Sequence, residues 1–261
     1  MRVVTLHPDV LVATSAIWQT NCAIVRGPGR SAGTDSRGGE AGSGEAGSGE
    51  AGGLVRVVDG YDSQAETFVI DSPILPDELD ALPSLVSQAR FPEPSGLLAT
   101  HGDWDHLLGR LVFPELALGC AQSTAQRLVA EPGVAQRELR EFDRSMYIER
   151  PRPLMLGRFQ ELPVPGRCEI GGRELELYPA DGHTPDGMAI WIAWAGVLVA
   201  GDYLSTVEPP KVQGGSVEDF RATLERLRPL VASAEHVVPG HGPVLSSERA
   251  LEALNESLAA L

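Results

Sequence analysis

Apolar positions along the chain fall into short runs, and several of these runs stop at a side chain able to hold a cation. The run Gly96-Leu97-Leu98-Ala99 leads into Thr100-His101-Gly102-Asp103-Trp104-Asp105-His106. Three others behave alike, from Leu175 to His183, from Val197 to Asp202 and from Val237 to His241. Runs of this length bounded by turn residues read as strands, which predicts that all four clusters share one rim of the sheets. The two imidazoles and two carboxylates of the first cluster can converge only where the backbone turns sharply from a strand into a helix.

The same reading organises the rest of the chain. Residues 10–25 predict one or two strands; residues 54–59 and 66–71 predict two strands of a meander, the second ending on Asp71. Helices are expected over 77–90, where Pro83 limits regularity, over 122–131 and over 133–147. Residues 173–179 alternate as a half-buried strand does, and 189–194 with 197–200 read as a hairpin. Ser216 opens a capping box ahead of Phe220, Leu224, Leu227 and Leu230 at helical spacing. After a short strand at 236–238, a last helix starts near Ser246 or Ser247, with Leu251, Leu254, Leu258 and Leu261 on one face. Strand-rich halves each followed by helices predict two sheets between helical layers, in one domain spanning residues 1–261.

Two segments break the pattern. Residues 27–53 carry a Gly-Glu-Ala-Gly-Ser near-repeat that cannot pack a core, so they read as a flexible insertion. Their glycines do not suggest a phosphate loop, because no helix pattern follows and the glutamates would repel an anion. Residues 148–165 hold Pro151, Pro153, Pro163 and Pro165 with Arg150, Arg152 and Arg158, and are expected to form an irregular loop over the site. A solvated surface connection is the competing reading.

A formal charge of −15 argues against nucleic acid or an anionic membrane surface as partner. Cys22, Cys120 and Cys168 are too scattered for a disulfide framework or a thiolate zinc site and read as free thiols. The N-terminal stretch is interrupted by His7, Pro8 and Asp9, and no apolar run reaches membrane-spanning length. The expectation is a cytoplasmic protein acting on a small molecule, with its oligomeric state open.

His101, Asp103, Asp105, His106, His183, Asp202 and His241 together exceed the four donors of one tetrahedral zinc, but suit two adjacent cations bridged by a carboxylate. Neighbouring glycines (Gly102, Gly182, Gly201, Gly240 and Gly242) would allow the tight turns that aim them inward. His7 and His236 lie outside the clusters and are expected to be bystanders. Trp104 is expected in the core and Trp191 and Trp194 on strand faces, while Tyr203 fits either pocket or core.

The motifs Thr100-His101-x-Asp103-x-Asp105-His106, Gly182-His183-Thr184-Pro185, Gly201-Asp202 and Pro239-Gly240-His241-Gly242, in this order and with Asp71 ahead of them, resemble those of the metallo-β-lactamase-fold hydrolases. That superfamily includes lactonases, glyoxalase II-type thioesterases and ribonuclease Z-type nucleases. The resemblance covers nearly the whole chain and implies an α/β fold, an αββα sandwich with the metals between the inner sheet edges. It assigns His101, Asp103 and His183 to a first ion and Asp105, His106 and His241 to a second. Asp202 would bridge them, and Asp71 would orient the ligands from behind. It also makes Asp105 both ligand and proton acceptor, in a hydrolase that uses a metal-bound hydroxide on a small ester, thioester, lactone or phosphoester.

One position departs from the family pattern H-x-H-x-D-H: Asp103 stands where the second histidine would be. The expected cofactor is a pair of divalent ions, zinc first, with Mn or Fe admitted by the added oxygen donor. Flavodiiron oxygen reductases of the same fold also carry a carboxylate there, which keeps a di-iron or mono-iron redox protein as an alternative, although no flavodoxin-like domain is evident. A non-catalytic binding relative is the third reading. A secreted antibiotic-degrading enzyme, a nuclease and a glyoxalase II-type enzyme are disfavoured by the lack of a leader, of a basic groove and of an appended helical domain.

Overall fold

The computed structural model describes residues 1–29 and 64–261. Residues 30–63, which hold nearly all of the insertion expected over 27–53 and the strand expected over 54–59, lie outside the described residues.

Strand alternation explains the layering. In β2 (Val10–Thr14) every residue is buried, yet Val10 and Val12 join one apolar cluster while Leu11 and Ala13 join another. β3 (Asn21–Gly27) splits in the same way, with Ala23 and Val25 on one side and Cys22 and Ile24 on the other. A strand apolar on both faces needs cover on both. β1 (Arg2–His7), β2, β3, β4 (Glu66–Ile70), β5 (Pro94–Leu98), β6 (Leu118–Ala121) and β7 (Phe159–Leu162) form one sheet in chain order. It is antiparallel from β1 to β4 and parallel from β4 to β7.

The second sheet holds β8 (Gly166–Ile170), β9 (Arg173–Pro179), β10 (Met188–Ile192), β11 (Val197–Gly201), β12 (His236–Pro239) and β13 (Leu245–Ser246), ordered β13-β12-β11-β10-β9-β8. Only β11 and β12 run parallel within it. Val197 and Val199 of β11 face the first sheet, and Leu198 and Ala200 face the outer helices.

The outer layers follow from the remaining apolar faces. Leu79, Leu82 and Val86 of α1 (Pro76–Gln88) cover the first sheet. The single turn α2 (Gly109–Val112) follows the first ligand cluster. Leu128 of α3 (Gln122–Ala130) and Ala135 and Leu139 of α4 (Val134–Met146) complete that layer. Phe220, Leu224, Leu227 and Val231 of α5 (Val217–Ser233) pack on the second sheet with Ala250, Ala253 and Leu254 of α6 (Ser247–Ala260). Ser216 caps α5 by accepting from the Asp219 N–H, and Ser246 caps α6 by accepting from the Arg249 N–H. The result is the expected αββα sandwich.

Five strands escape the sequence reading. β1 and β8 are mixed in polarity, β6 and β13 are only four and two residues long, and β7 lies inside the segment 148–165, which is therefore not irregular throughout. Pro83 is accommodated inside α1. Trp194 lies on a 3-10 turn, Ala193–Ala195, rather than on a strand, because the β10–β11 hairpin closes there.

The two sheets are fastened where the site lies. Asn21, 3% exposed, donates from Nδ2 to the carbonyls of Pro239 and Gly242 at 2.8 and 2.9 Å and accepts from Thr14 Oγ1 at 2.7 Å. Asn21→Ala strands these buried partners. It is expected to cost about 3 kcal/mol and to lower the melting temperature by roughly 6–12 °C. An unchanged melting curve would show that the tie contributes nothing.

Candidate metal centre

Five chain crossings deliver the side chains, each at the carboxyl end of a strand. Asp71 follows β4, and the stretch from His101 to His106 follows β5 as a loop and a 3-10 turn, Trp104–His106. His183 follows β9, Asp202 follows β11 and His241 follows β12. His101, Asp103, Asp105, His106, His183 and His241 are all buried. All seven residues of the expected donor set converge, in three overlapping groups whose ligand atoms lie within 4.8 Å of one another: His101, His106 and Asp202; His101, Asp103 and His183; and Asp105, His106 and His241.

The four imidazoles share one orientation. His183 Nδ1 donates to the Lys211 carbonyl at 2.7 Å, and His241 Nδ1 faces the Trp18 carbonyl and Thr20 Oγ1, each at 3.2 Å. His101 Nδ1 is 3.1 Å from Thr100 Oγ1, whose own proton goes to Asp71 Oδ2 at 2.9 Å. His106 Nδ1 lies 3.1 Å from Asp71 Oδ2, at an off-line angle. Carbonyls and carboxylates only accept, so these partners assign the proton to Nδ1 and leave Nε2 for the shared space.

Around that space, Asp202 Oδ1 is 3.1 Å from His106 Nε2, and its Oδ2 is 3.8, 3.3 and 3.4 Å from Nε2 of His101, His183 and His241. Asp103 Oδ2 is 3.7 and 3.5 Å from His101 and His183. Asp105 Oδ2 is 3.6 and 3.3 Å from His106 and His241. Nε2 of His101, His106 and His183 and Oδ1 of Asp202 are buried without a hydrogen-bond partner among the described residues. Polar atoms so placed are rare unless something completes them, and inward-facing nitrogen lone pairs between carboxylates fit a dication.

The electrostatics agree. Burial alone would raise the carboxyl of Asp202, but the charges of His106 and His101 outweigh it and hold it well below the usual range. Burial likewise opposes ionisation of Asp103, and its contacts with His101 and His183, then the charge of Arg127, drive it down. Burial opposes charge on His183 and His241 too, yet the carboxylates beside them lift both to about 10.

The glycines act in two ways. Gly182, Gly201 and Gly242 adopt left-handed backbone, as expected, whereas Gly240 matters for space, since a Cβ there would overlap Asp202 Oδ1. Asp71 itself stands at φ 56°. Tyr203 is core, 2% exposed, with its hydroxyl accepting from the His183 N–H at 3.0 Å. His7 and His236 belong to none of the three donor groups.

A cavity of about 560 Å³ opens on Asp103, Asp105, His183, Asp202 and His241. Its walls come from Ala16, Trp18 and Gln19 on one side and from Leu204 to Gln213 on the other, with Glu208 and Lys211 as the charged members. No residue of 148–165 lines it, which corrects the expectation of a loop over the site. That segment packs elsewhere, with Arg150 paired to Asp143 at 2.8 Å. Sequence reasoning also missed Arg127, Asp186 and Gln213, which bind Asp103 or one another. Arg127 and Gln213 stand outside the motifs in sequence, whereas Asp186 directly follows Gly182-His183-Thr184-Pro185 and had a signal beside it.

The sequence model of the Metallo-beta-lactamase superfamily matches residues 90–241, more than half of the chain. Among solved structures, the chain is similar to a metallo-beta-lactamase from Pontibacter korlensis, with 14% identity, a TM-score of 0.61, and 100% of this chain and 99% of that one covered. It is also similar to the metallo-beta-lactamase family protein TTHA1429 from Thermus thermophilus, at 18% identity and TM-score 0.63, covering 98% of this chain and 81% of that one. A third, TTHA1623 solved in a di-iron-bound form, gives 17% identity and TM-score 0.58 over 93% and 97% of the two chains. At such identities the likeness is one of fold. Among the described residues no helix is long and apolar enough to cross a membrane.

Protons and metal compete for the same nitrogens. With their folded pKa lifted to about 10, His183 and His241 stabilise the metal-free chain fully below about pH 6.5, and this contribution is lost as pH rises through about 10. Metal-free protein is therefore expected to lose stability between pH 7 and 10, and dication uptake at pH 7 to release on the order of three protons per chain, since His106, against its burial, is raised as well by the carboxylates of Asp71, Asp105 and Asp202. A titration in weak buffer that shows no proton release would contradict this.

Proposed function

Because the chain belongs to the metallo-beta-lactamase superfamily, we propose that it is a metal-dependent hydrolase of a small ester, thioester, lactone or phosphoester, working with two divalent ions. The observation that carries this reading is the common orientation of the four imidazoles: Nδ1 of His101, His183 and His241 is hydrogen-bonded, that of His106 lies beside Asp71, and all four Nε2 atoms turn to a space shared with three carboxylates. His101, Asp103 and His183 would hold the first ion, Asp105, His106 and His241 the second, and Asp202 both. When bound, the ions would lower the pKa of a water between them, polarise the scissile carbonyl or phosphoryl oxygen and stabilise the leaving group.

The chain's own residues divide the remaining work. Asp105 lines the cavity and is held ionised: burial opposes this, and the charge of His106 outweighs it. Ionised, its carboxylate can accept the proton that hydrolysis releases. Asp71, through Thr100 and His106, would fix the tilt of two ligand rings from behind, as carboxylates behind metal-bound histidines do. The cavity suits a small molecule, lying within the usual range of roughly 300–1,000 Å³ for such sites. Trp18, Val207, Pro209 and Pro210 give it apolar wall positions.

Zinc is the first choice of metal, since each proposed position combines two imidazoles with carboxylates; Asp103 also admits Mn or Fe. A second reading, an iron-dependent redox protein, draws on Asp103 and on the likeness to a protein solved in a di-iron-bound form. Metal analysis after expression without added metal, combined with chromogenic esters, thioesters, lactones and phosphodiesters assayed under Zn, Mn and Fe, separates the two. Two irons with a charge-transfer band and no hydrolysis would favour the second. Asp202→Ala is expected to lower metal content and to cut turnover by about a thousandfold, the rate equivalent of several kcal/mol of lost stabilisation. Full turnover in that variant would end the proposal of a shared carboxylate.

A further inference from the structure

The two proposed metal positions have the same donor chemistry, two imidazoles and one carboxylate each, with Asp202 between them. They differ in what stands behind the carboxylate. Arg127, on α3, donates from Nη2 to Asp103 Oδ1 at 2.9 Å and from Nη1 to Asp186 Oδ1 at 2.8 Å. Asp186 is 1% exposed, and its Oδ2 accepts from the Gly102 N–H at 3.0 Å. A Cβ on Gly102 would stand 3.2 Å from Asp186 Oδ2 and 3.5 Å from Arg127 Nη1, so the residue without a side chain lies where this pair passes. Asp105, in the second group, has only histidines as cationic partners among the described residues.

Lone pairs decide what Asp103 can offer. A carboxylate presents about four acceptor sites, two on each oxygen. The guanidinium occupies Oδ1, and Gln213 Nε2 donates to Oδ2 at 3.0 Å. One site is left on each oxygen, and the one on Oδ2 is directed at the Nε2 atoms of His101 and His183, while Oδ1 is turned to the guanidinium. The same guanidinium balances the charge that an aspartate adds in place of a neutral ring. Burial opposes the charge on Arg127, but its hydrogen bond to Asp186, reinforced by both carboxylate charges, keeps it firmly protonated.

We infer that Arg127 is the positioning residue of the first metal position: its planar fork, braced on Asp186, holds Asp103 as a single-oxygen donor and gives the two positions different affinities. The inference rests on the two-ion reading above. A lysine could supply the charge but not the fork, because an ammonium is a point donor without the two parallel N–H vectors. Fork and charge are therefore separable.

The test uses Arg127→Lys and the pair Arg127→Met with Asp186→Asn, both of which leave the net charge unchanged. Zinc affinity is measured for each of two equivalents by competition with a chromogenic chelator, and Co(II) absorption reports the ligand geometry, with circular dichroism as the check on folding. One ion is expected to keep its wild-type affinity and the other to weaken by roughly 10–100-fold, the usual effect of removing a group that orients a ligand. Adding Arg127→Lys to Asp103→Ala should weaken binding no further, since the fork then has nothing to hold. Unchanged affinities in folded Arg127→Lys, or equal weakening of both ions, would overturn the inference. Wild-type protein that binds no dication would instead overturn the reading on which it rests.

Discussion

Carboxylates taken out of water must be met by donors or cations, and at the rim of this sandwich that requirement is unusually concentrated. Asp71, Asp103, Asp105 and Asp186 are buried, Asp202 is nearly so, and among the described residues Arg127 is the one arginine or lysine paired with any of them. The rest of the balance comes from four imidazoles. Protons on the rings, or ions between them, are the two ways to settle the charge, and they exclude each other at Nε2. The two sheets meet at this rim, so the electrostatic balance is also a constraint on how the halves of the molecule approach.

Local backbone strain is spent on the same place. Asp71, Trp18 and Gln19 have φ of 56°, 55° and 52°, a region that costs a non-glycine residue about 1–2 kcal/mol. At Asp71 the twist lets one carboxylate accept from the Thr100 N–H at 2.8 Å and from its hydroxyl at 2.9 Å. At Trp18 and Gln19 it turns two carbonyls toward the His241 loop, one to the ring at 3.2 Å and one to the Gly242 N–H at 3.0 Å. Glu78, buried on α1, steadies this turn by accepting from Ser15 Oγ at 2.6 Å and from the Ala16 N–H at 2.8 Å. Strained turns that persist are those whose neighbours over-determine them: Asp71 is held by its bonds to Thr100 and to the Leu98 carbonyl, and Trp18 and Gln19 by one carbonyl bond each to the His241 loop.

How much of this was legible in the sequence depends on the range of the interaction. The convergence of the seven side chains could be read because each lies at or shortly after the end of an apolar run, and strand ends in an open sandwich collect at one rim. The inter-sheet strands β2, β3, β10 and β11 and the helices α1, α5 and α6 were legible for the same reason, through local periodicity and caps. The supports of Asp103 were not. Arg127 is 24 residues from it and Gln213 is 110, and nothing in either neighbourhood distinguishes these side chains from solvated ones. Residues 148–165 show the opposite error: prolines and arginines correctly marked a break in regular structure, but composition carries no information about which face a loop covers. The folded chain shows that no residue of the segment lines the cavity, and that it is tied instead to Asp143 through Arg150 and to Arg110 through the Met155 carbonyl.

The cavity walls and the donor set are not independent parts. The Trp18 carbonyl, on one wall, is an acceptor for His241, and the Lys211 carbonyl, on the other, is the acceptor for His183. Gln213 at the end of that second wall donates to Asp103 and binds the His183 carbonyl through its own N–H at 2.5 Å. A loop that shapes a substrate pocket is ordinarily free to vary, because a rigid scaffold holds the chemistry beneath it. Here the backbone of both loops orients the imidazoles of His183 and His241, so a change of wall shape that moves the carbonyl of Lys211 or Trp18 also rotates a ring nitrogen. The Glu208 carboxylate also reaches one of these rings, 4.0 Å from His241 Nδ1, whereas the Val207 side chain lines the cavity with no polar atom to tie it to the centre, and it is there that the wall can change shape without turning a ring.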